Sequence, residues 1–269
     1  MSYPAKIPAA KFRTPMPGTQ GLPATMGRDG SKLCSFAPPV EREIQPTSPR
    51  LLITVGVGGA REILKLSSPS MRAYAARVGA DFLALTNCTQ EWPLAEKFRI
   101  GHYARRYERI LFVDADVFIR SDAPDIFATV PSGSIAMHDD LYDLERMGGG
   151  PGGSRWIESE LRSLGESQGV KIARACLNSG VVVFDGKDAD IWDAPPRPFP
   201  VTHCTEQHWV QYQALNKGRL FSLPTEFNWQ FWANPDFRGI EDSHFVHLAG
   251  VGERCPEMAQ PLMRALSLR

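Results

Sequence analysis

Two aspartates directly after an apolar run are the residues of this sequence best placed for chemistry. Asp114 and Asp116 flank Ala115 and follow the run Ile-Leu-Phe-Val at residues 110–113. A buried parallel strand delivers its carboxyl end to the ligand crevice of an α/β sheet. Residues two apart on an extended segment share a face, with Cα atoms roughly 6 to 7 Å apart, so both carboxylates can address one hard cation such as Mn²⁺ or Mg²⁺. Capping of the next turn is the alternative role for these acids.

The segment RILFVDADVFI at residues 109–119 resembles the strand and DxD motif of GT-A glycosyltransferases, in particular the glycogenin and bacterial galactosyltransferase group called family 8. The resemblance implies a GT-A fold with Asp114, Ala115 and Asp116 at the donor. It also implies Mn²⁺ or Mg²⁺ as cofactor and a nucleotide-diphosphate sugar, expected to carry UDP, as donor. The acceptor would be a saccharide or another hydroxyl compound, and the anomeric configuration would be retained.

Other landmarks of that group follow in the same order. Lys97 lies 17 residues before the first aspartate, where the family has a basic residue that contacts the nucleotide or its phosphates. A solvated lysine on a helix face is the alternative. The run LNSGVVVFD resembles the family's Asn-Ala-Gly strand, whose asparagine contacts the donor sugar. Asn178, Ser179 and Gly180 therefore take donor-binding positions.

The pair Glu206 and Gln207 resembles the family's Asp-Gln pair, which begins a helix beneath the anomeric carbon of the donor. The acid is Glu here rather than Asp, so its reach differs by one methylene. We expect both residues to be catalytic. On their own they would also suit the first turn of a helix, where the dipole favours an acid.

A histidine near the end of the chain is the expected third metal ligand. The run VHLAG resembles the family's strand His-Phe-x-Gly, which assigns the metal to His247 and a donor contact to Gly250. A neutral imidazole suits Mn²⁺ beside two carboxylates. His244 is a nearby competitor, but on an extended segment it faces the opposite side. The family's later lysine is absent, so the diphosphate contact falls to Arg254 or is missing.

Weaker signals complete the expected site. The run MHDD ends a strand of the type that contributes a carboxylate near the sugars in the family, so Asp139 or Asp140 is expected to bind donor or acceptor, and either would be the general base if the product were inverted. Val55 and Gly56 are expected near the nucleotide base. The aromatic cluster of Phe227, Trp229, Phe231 and Trp232 could stack on a sugar ring or belong to the core, and Asn228 beside it loosely matches an asparagine of the family.

The elements that must position these residues alternate between strand and helix. Apolar runs predict strands at residues 51–58, 81–87, 109–119, 176–185 and 243–250. Helices are predicted from Ser68 and Pro69 to about Val78, from Pro93, and over residues 205–215. This alternation predicts an α/β fold with a mostly parallel central sheet flanked by helices.

The sequence divides into a proline-rich arm and one catalytic domain. Nine of the 22 prolines lie in residues 1–49, without a period of 2 or 3.6. The arm is therefore expected to be disordered or loosely docked, and its removal is expected to change stability little. Residues 50–269 are the predicted GT-A domain. Within it, the glycine-rich residues 147–154 are predicted to form a mobile loop over the acceptor.

Charge and cysteine content indicate which partners and which cellular compartment to expect. Thirty basic residues balance 30 acidic ones, so no global field draws the chain to nucleic acid, and we expect no nucleic-acid partner. The five widely spaced cysteines include no CxxC pair, which favours a reducing compartment. No run approaches the roughly 18 to 20 apolar residues of a membrane span. We expect a cytoplasmic protein without a transmembrane segment.

Three other functions remain open from the sequence. A nucleotidyltransferase shares the fold, and GVGGAREILK at residues 56–65 partly matches its basic, glycine-rich loop. A haloacid-dehalogenase-type phosphohydrolase also uses a DxD motif, but on its first strand and followed by threonine or Gly-Thr. An inactive sugar-binding scaffold is the third.

Overall fold

The structure of the protein is a computed structural model, which describes residues 25–26, 32–41, 43–146, 155–251, 257–259 and 262–263. The strands are β1 (Thr25–Met26), β2 (Lys32–Cys34), β3 (Arg50–Val55), β4 (Asp81–Leu85), β5 (Arg109–Asp114), β6 (Val117–Ile119), β7 (Ile135–Asp139), β8 (Leu177–Asp185), β9 (Phe199–Pro200), β10 (Leu220–Ser222), β11 (Trp229–Gln230) and β12 (Phe245–His247). The helices are α1 (Ala60–Arg77), α2 (Ile100–Ala104), α3 (Ile126–Thr129), α4 (Leu141–Arg146), α5 (Arg155–Gln168) and α6 (Thr205–Asn216). Short 3₁₀ segments lie at Pro93–Arg99, Gly186–Trp192, Thr225–Phe227 and Ile240–Asp242.

The central sheet has six strands in the order β10, β7, β8, β5, β3, β4. Strands β3, β4 and β5 pair in parallel, as do β7 and β10. Strand β8 is antiparallel to both of its neighbours, β5 and β7. The predicted mostly parallel sheet is therefore confirmed, with β8 as its reversed strand.

Both faces of the central sheet are covered, which explains its nearly continuous apolar strands. On one face, Leu52 and Leu111 share a buried cluster with Ile63 and Met71 of α1. On the other face, Ile53 and neighbouring apolar residues pack against α2, α6 and the Gly186–Trp192 segment. The layers follow from the alternation of side chains along each strand.

A second sheet has the order β11, β12, β6 and leads directly from the DxD segment. Strand β12 pairs antiparallel with β6, and His247 lies opposite Val117. Strand β11 pairs in parallel with β12, and Gln230 lies opposite His247. The end of the chain is thereby brought beside the aspartates.

The predicted start of the first helix is wrong. Helix α1 begins at Ala60, and Pro69 lies inside it rather than at its first turn. The buried positions of α1 include Ile63, Ser67, Met71 and Tyr74, which follow a helical spacing through the proline. Packing of this face against the sheet outweighs the hydrogen bond that proline removes.

Part of the arm that the structure describes packs against the domain. Strand β2 pairs with β9, and Cys34 is buried in an apolar cluster with Phe98 and Phe199. The guanidinium of Arg99 forms an ion pair with Glu41, at 2.5 Å from Nε to Oε1, and both side chains are buried. Strand pairing and a buried ion pair thus attach this part of the arm to the domain. The division of the chain at residue 49 stays a prediction.

No helix in the described part of the chain is long and apolar enough to cross a membrane. Cys34, Cys88, Cys176 and Cys204 are free thiols. The expected loop at residues 147–154 lies outside the described residues.

Candidate functional site

Three strands of the central sheet bring their ligand-facing ends to one edge. Val55, the last residue of β3, lies opposite Asp114, the last residue of β5. Val181 of the reversed strand β8 lies opposite Val113. Since β8 runs the other way, its beginning meets the carboxyl ends of β3 and β5. The reversal therefore places the Asn-Ser-Gly run beside the aspartates.

Asp114, Asp116 and His247 form one cluster at this edge. Each offers a ligand atom, and the three atoms lie within 4.8 Å of one another. The intervening turn is held by two hydrogen bonds: Ser67 Oγ donates to the carbonyl of Ala115 at 2.5 Å, and the N–H of Leu248 donates to the carbonyl of Asp116 at 3.0 Å. The turn and the β6–β12 pairing together aim the side chains at one point.

The donor chemistry of the cluster fits a divalent cation. His247 Nε2 lies 3.3 Å from Asp116 Oδ1 and 3.9 Å from Asp114 Oδ2. Two carboxylates and an imidazole suit Mn²⁺, and Mg²⁺ less well. Burial lowers the pKa of His247, but the attraction of Asp116 and Asp114 outweighs burial and raises it. Burial likewise raises the pKa of Asp116, and His247 reverses this so that the pKa is lowered.

Lys97 is buried inside the site rather than solvated. Its Nζ lies 2.8 Å from Asp114 Oδ1 and 3.2 Å from Glu206 Oε1. Burial lowers the pKa of Lys97, but the two carboxylates outweigh it and the net shift is upward. Lys97 is therefore a fixed positive charge that links the DxD segment to the first turn of α6.

Comparison with known proteins establishes the fold. No protein-family model matches the sequence, and no curated protein matches it. Among solved structures, the chain is similar to a glycosyltransferase involved in the glycosylation of the major capsid of PBCV-1, with a TM-score of 0.54 and 14% identity over 79% of this chain and 98% of that chain. The chain has a GT-A glycosyltransferase fold.

Two further solved structures are similar at lower TM-scores. The WbbM bifunctional glycosyltransferase has a TM-score of 0.49 and 11% identity, over 78% of this chain and 47% of that chain. The galactosyltransferase LgtC, in complex with donor and acceptor sugar analogs, has a TM-score of 0.43 and 14% identity, over 80% of this chain and 99% of that chain.

In this GT-A fold the beginning of β8 lies against the metal cluster. A Cβ atom added to Gly180 would lie 2.2 Å from His247 Cε1, so only glycine lets the two strands approach this closely. Asn178 and Ser179 are buried. The N–H of Ser179 donates to Gln207 Oε1 at 3.3 Å, which ties the strand to α6.

Glu206 and Gln207 occupy the first turn of α6, as predicted from the sequence. Both are buried. Glu206 Oε1 accepts from Lys97, whereas Oε2 has no hydrogen-bond partner within the described structure. Gln207 Nε2 donates to Cys176 Sγ at 3.8 Å. A buried carboxylate oxygen beside the candidate metal centre is thus left to accept a further hydrogen bond.

The structure distinguishes the two candidate acids at the end of β7. Asp139 Oδ1 accepts from the N–H of Leu141 at 3.0 Å, so this residue caps the start of α4. Asp140 is buried and accepts from Asn178 Nδ2 at 2.9 Å. Burial raises the pKa of Asp140 to about 6, against the opposing effect of the bond from Asn178. Asp140 is therefore the one joined to the site by side-chain contacts.

Polar contacts around β11 adjoin the site; sequence reasoning missed Gln230 and singled out Asn228 only as a loose match to an asparagine of the family. Gln230 is buried and donates to Asp140, while Trp232 Nε1 donates to Gln230 Oε1 at 2.6 Å. Asn228 Oδ1 lies 2.9 Å from His247 Nδ1. The aromatic residues of this segment favoured stacking or core packing in the prediction. Residues 228 and 230 are two apart, a spacing that places both side chains on one face of an extended segment and could have indicated their shared role.

The remaining predicted residues lie at the edge of the candidate site or outside the described residues. Val55 and Gly56 are buried where β3 ends. Gly250 adopts a left-handed backbone with φ 79°, and an added Cβ would lie 3.0 Å from Trp232 Cβ. Arg254 lies outside the described residues. The competitor His244 packs on Phe227, with ring centroids 5.0 Å apart, and is not part of the metal cluster.

Proposed function

We propose that the protein is a metal-dependent glycosyltransferase that moves a sugar from a nucleotide-diphosphate sugar, expected to be a UDP-sugar, to a hydroxyl acceptor. The cluster of Asp114, Asp116 and His247 at the carboxyl edge of a GT-A sheet carries this proposal. Their mixed carboxylate and imidazole donors suit Mn²⁺. A nucleotide sugar and a saccharide or other hydroxyl compound are the partners this function requires.

The chain's own residues divide the work. Asp114, Asp116 and His247 would hold the cation, which when bound supplies positive charge to the leaving diphosphate. Asn178, Ser179 and Gly180 would line the donor sugar. Lys97 keeps its charge and orients Asp114 and Glu206. These roles are proposals that rest on the proximity of the side chains.

The reaction is proposed to retain the anomeric configuration. The acceptor then attacks from the side of the leaving group, and a phosphate oxygen accepts its proton. Glu206 and Gln207 stabilise the positive charge that develops on the sugar ring. Gln207 is a poor nucleophile because its side chain is an amide, and Glu206 is already held by Lys97. Both residues are therefore assigned electrostatic support rather than covalent catalysis.

The segment after β3 argues against a nucleotidyltransferase. Its Arg61 donates to the carbonyl of Thr86, and Lys65 pairs with Glu62. Both contacts lie at the surface, so residues 56–65 show no buried cluster of basic groups for a triphosphate. A haloacid-dehalogenase mechanism is also disfavoured, because the aspartates follow β5, after two earlier strands of the same sheet.

Metal binding is the first test of the proposal. We expect Asp116→Ala and His247→Ala to remain folded and to lose Mn²⁺-dependent stabilisation by UDP, because each removes a ligand. In the unmodified protein a specific ligand should add about 2.7 kcal/mol of stability at roughly 100 times its Kd. Thermal unfolding with UDP or other nucleotide diphosphates, with and without Mn²⁺, measures this effect. Transfer should slow by at least about 100-fold in both variants.

His244→Ala is the matched control, since this histidine lies three residues away but outside the cluster. It should keep the Mn²⁺-dependent shift. Equal losses of this shift in His244→Ala and His247→Ala would mean that His247 has no specific role in metal binding. Full turnover by chelator-treated protein would show that the reaction needs no metal.

Stereochemistry is tested on the product. We expect the anomeric coupling constant of the new glycosidic bond, recorded by NMR before spontaneous exchange, to match that of the donor. An inverted product would leave the metal site untouched but remove Glu206 and Gln207 from the catalytic residues. Asp140 would then be tested before Asp139 as general base, because Asp139 caps α4.

A further inference from the structure

The two ring nitrogens of His247 have different neighbours. Nε2 faces Asp116, at 3.3 Å from Oδ1, and Nδ1 lies 2.9 Å from Asn228 Oδ1. A neutral imidazole carries its proton on one nitrogen, and only the other has a lone pair for a metal. Taken alone, Asp116 would favour a proton on Nε2, which would block that lone pair. Nε2 keeps its lone pair only if the neighbour of Nδ1 accepts the proton's hydrogen bond.

A chain of hydrogen bonds decides which atom of Asn228 faces the histidine. The backbone N–H of Gly180 can only donate, and it lies 2.8 Å from the Asn178 side chain, so the atom it meets is the carbonyl oxygen. The Asn228 amide also contacts this oxygen, at 3.0 Å, and must donate to it through Nδ2. The carbonyl oxygen of Asn228 is then the atom directed at His247, and it can only accept.

The other side of Asn178 leads to the same orientation. The indole N–H of Trp232 can only donate, and it lies 2.6 Å from Gln230, which fixes Oε1 of that amide as an acceptor. Asn178 Nδ2 donates to this oxygen at 3.1 Å and to Asp140 Oδ2 at 2.9 Å. Two donor-only groups, one from the backbone and one from an indole, thus fix every amide between them.

We infer that Asn228 is a positioning residue that holds the proton of the neutral His247 imidazole on Nδ1 and leaves the Nε2 lone pair facing Asp116 and Asp114. Asn228 is fully buried and His247 is 3% exposed, so bulk water does not compete for Nδ1. The consequence for metal affinity rests on the proposed function. The tautomer itself does not.

The tautomer can be measured directly in metal-free protein. In alkaline buffer, where the imidazole is neutral, the two-bond ¹⁵N–¹H couplings of ¹⁵N-histidine-labelled protein report which nitrogen carries the proton. The His247 signals are those missing from His247→Gln. We expect the proton on Nδ1, and a proton on Nε2 in the unmodified protein would overturn the inference. This measurement needs no change at Asn228.

Two substitutions at Asn228 separate its acceptor from its bulk. Asn228→Leu has a similar volume but no acceptor, and it should move the proton to Nε2 and weaken Mn²⁺ binding by about 10- to 100-fold. Asn228→Asp keeps an acceptor toward Nδ1 but loses the donor to Asn178 Oδ1, so it should retain the Nδ1 proton and bind Mn²⁺ more tightly than Asn228→Leu does. Isothermal titration calorimetry with Mn²⁺ alone measures both. Equal losses in the two variants would contradict the inference.

The outcomes distinguish this inference from the proposed function. A protein with the proton on Nδ1 that binds no Mn²⁺ would retain the positioning role of Asn228 and refute the metal-dependent reaction. A protein that binds Mn²⁺ with the proton of its metal-free form on Nε2 would retain the reaction and refute the positioning role.

Discussion

At the scale of single residues, Gly180 sets how closely β8 and β12 approach each other. The nearest atoms to an added Cβ are His247 Cε1 at 2.2 Å and Nδ1 at 2.8 Å, followed by Asn178 Oδ1 at 2.9 Å. These distances are too short for real Cβ contacts, and both neighbours are buried and held by hydrogen bonds. A side chain at position 180 must therefore displace the metal-facing imidazole or the Asn178 amide.

We expect Gly180→Ala to lose Mn²⁺ affinity by about 10- to 100-fold, the range found when the support of a ligand is disturbed. The fold should persist, because one methyl group at a strand end is a local change. Calorimetry with Mn²⁺ and far-UV circular dichroism measure the two effects. Gly59→Ala is the matched control, since an added Cβ there meets nothing within 4 Å. Unchanged Mn²⁺ binding by Gly180→Ala would show that the close approach is dispensable.

The sequence indicated the candidate metal ligands, but not the hydrogen bonds that hold them in place. Asp114 and Asp116 have a short spacing after an apolar run, and His247 follows a recognisable strand, so local patterns were enough. The hydrogen bonds that connect Asn178 with Asn228 and Gln230 join β8 to a segment 50 to 52 positions later in the sequence. Such contacts depend on the register between strands, which a single sequence does not encode in any readable spacing.

At the scale of elements, the direction of β8 was not predictable from its composition. A buried strand is apolar whichever way it runs. Its reversal places Asn178 at the same edge as Asp114, an arrangement that the sequence alone could not supply. The start of α1 was missed for another reason: Pro69 suggested a first helical turn, whereas the apolar spacing that begins at Ile63 runs through it.

The arm clamps an element of the domain through a buried carboxylate. Glu41 accepts from Arg99 Nη2 at 2.8 Å and from Tyr103 Oη at 2.6 Å. Arg99 in turn pairs with the buried Glu96 and donates to the carbonyl of Asn87 at 2.9 Å. The arm thereby supports the loop between β4 and the Pro93–Arg99 segment. That segment also carries Lys97.

Two neighbouring glutamates of the arm provide a matched test of this clamp. Glu41→Gln should lower the free energy of unfolding by about 1.5 to 3 kcal/mol, because Arg99 loses one of its two carboxylate partners and keeps Glu96. Glu43→Gln should cost less than about 1 kcal/mol, since Glu43 is 80% exposed and lies 3.5 Å from Arg106. Urea unfolding of both variants gives the difference. Equal, small effects would mean that Arg99 is satisfied without the arm.

At the scale of the whole molecule, the described residues form three sheets, and the third has the strand order β1, β2, β9, with β1 and β2 supplied by the arm. Strand β2 pairs with β9. The carbonyl of Pro200 in β9 accepts from Thr205 Oγ1 at 2.7 Å, at the start of the helix that carries Glu206. Further along the arm, the N–H of Thr47 donates to Asp81 Oδ2 at 2.8 Å. The arm therefore connects the first strands of the domain to the helix beneath the proposed donor site.

The contacts of the arm and its composition predict different effects of deleting it on the melting temperature. The proline-rich composition predicts that deleting residues 1–49 changes the melting temperature little. The Glu41–Arg99 pair and the β2–β9 pairing instead predict a fall of roughly 3 to 12 °C, since the loss of hydrogen bonds to a charged group costs about 1.5 to 3 kcal/mol and a domain of this size loses roughly 2 to 4 °C per kcal/mol. Deleting only residues 1–31 keeps β2 and Glu41, so it should preserve most of the melting temperature. Differential scanning calorimetry of the two truncations compares them under one condition. Equal melting temperatures for both truncations would mean that residues 32–49 add nothing to stability, and the composition would then have been the better guide.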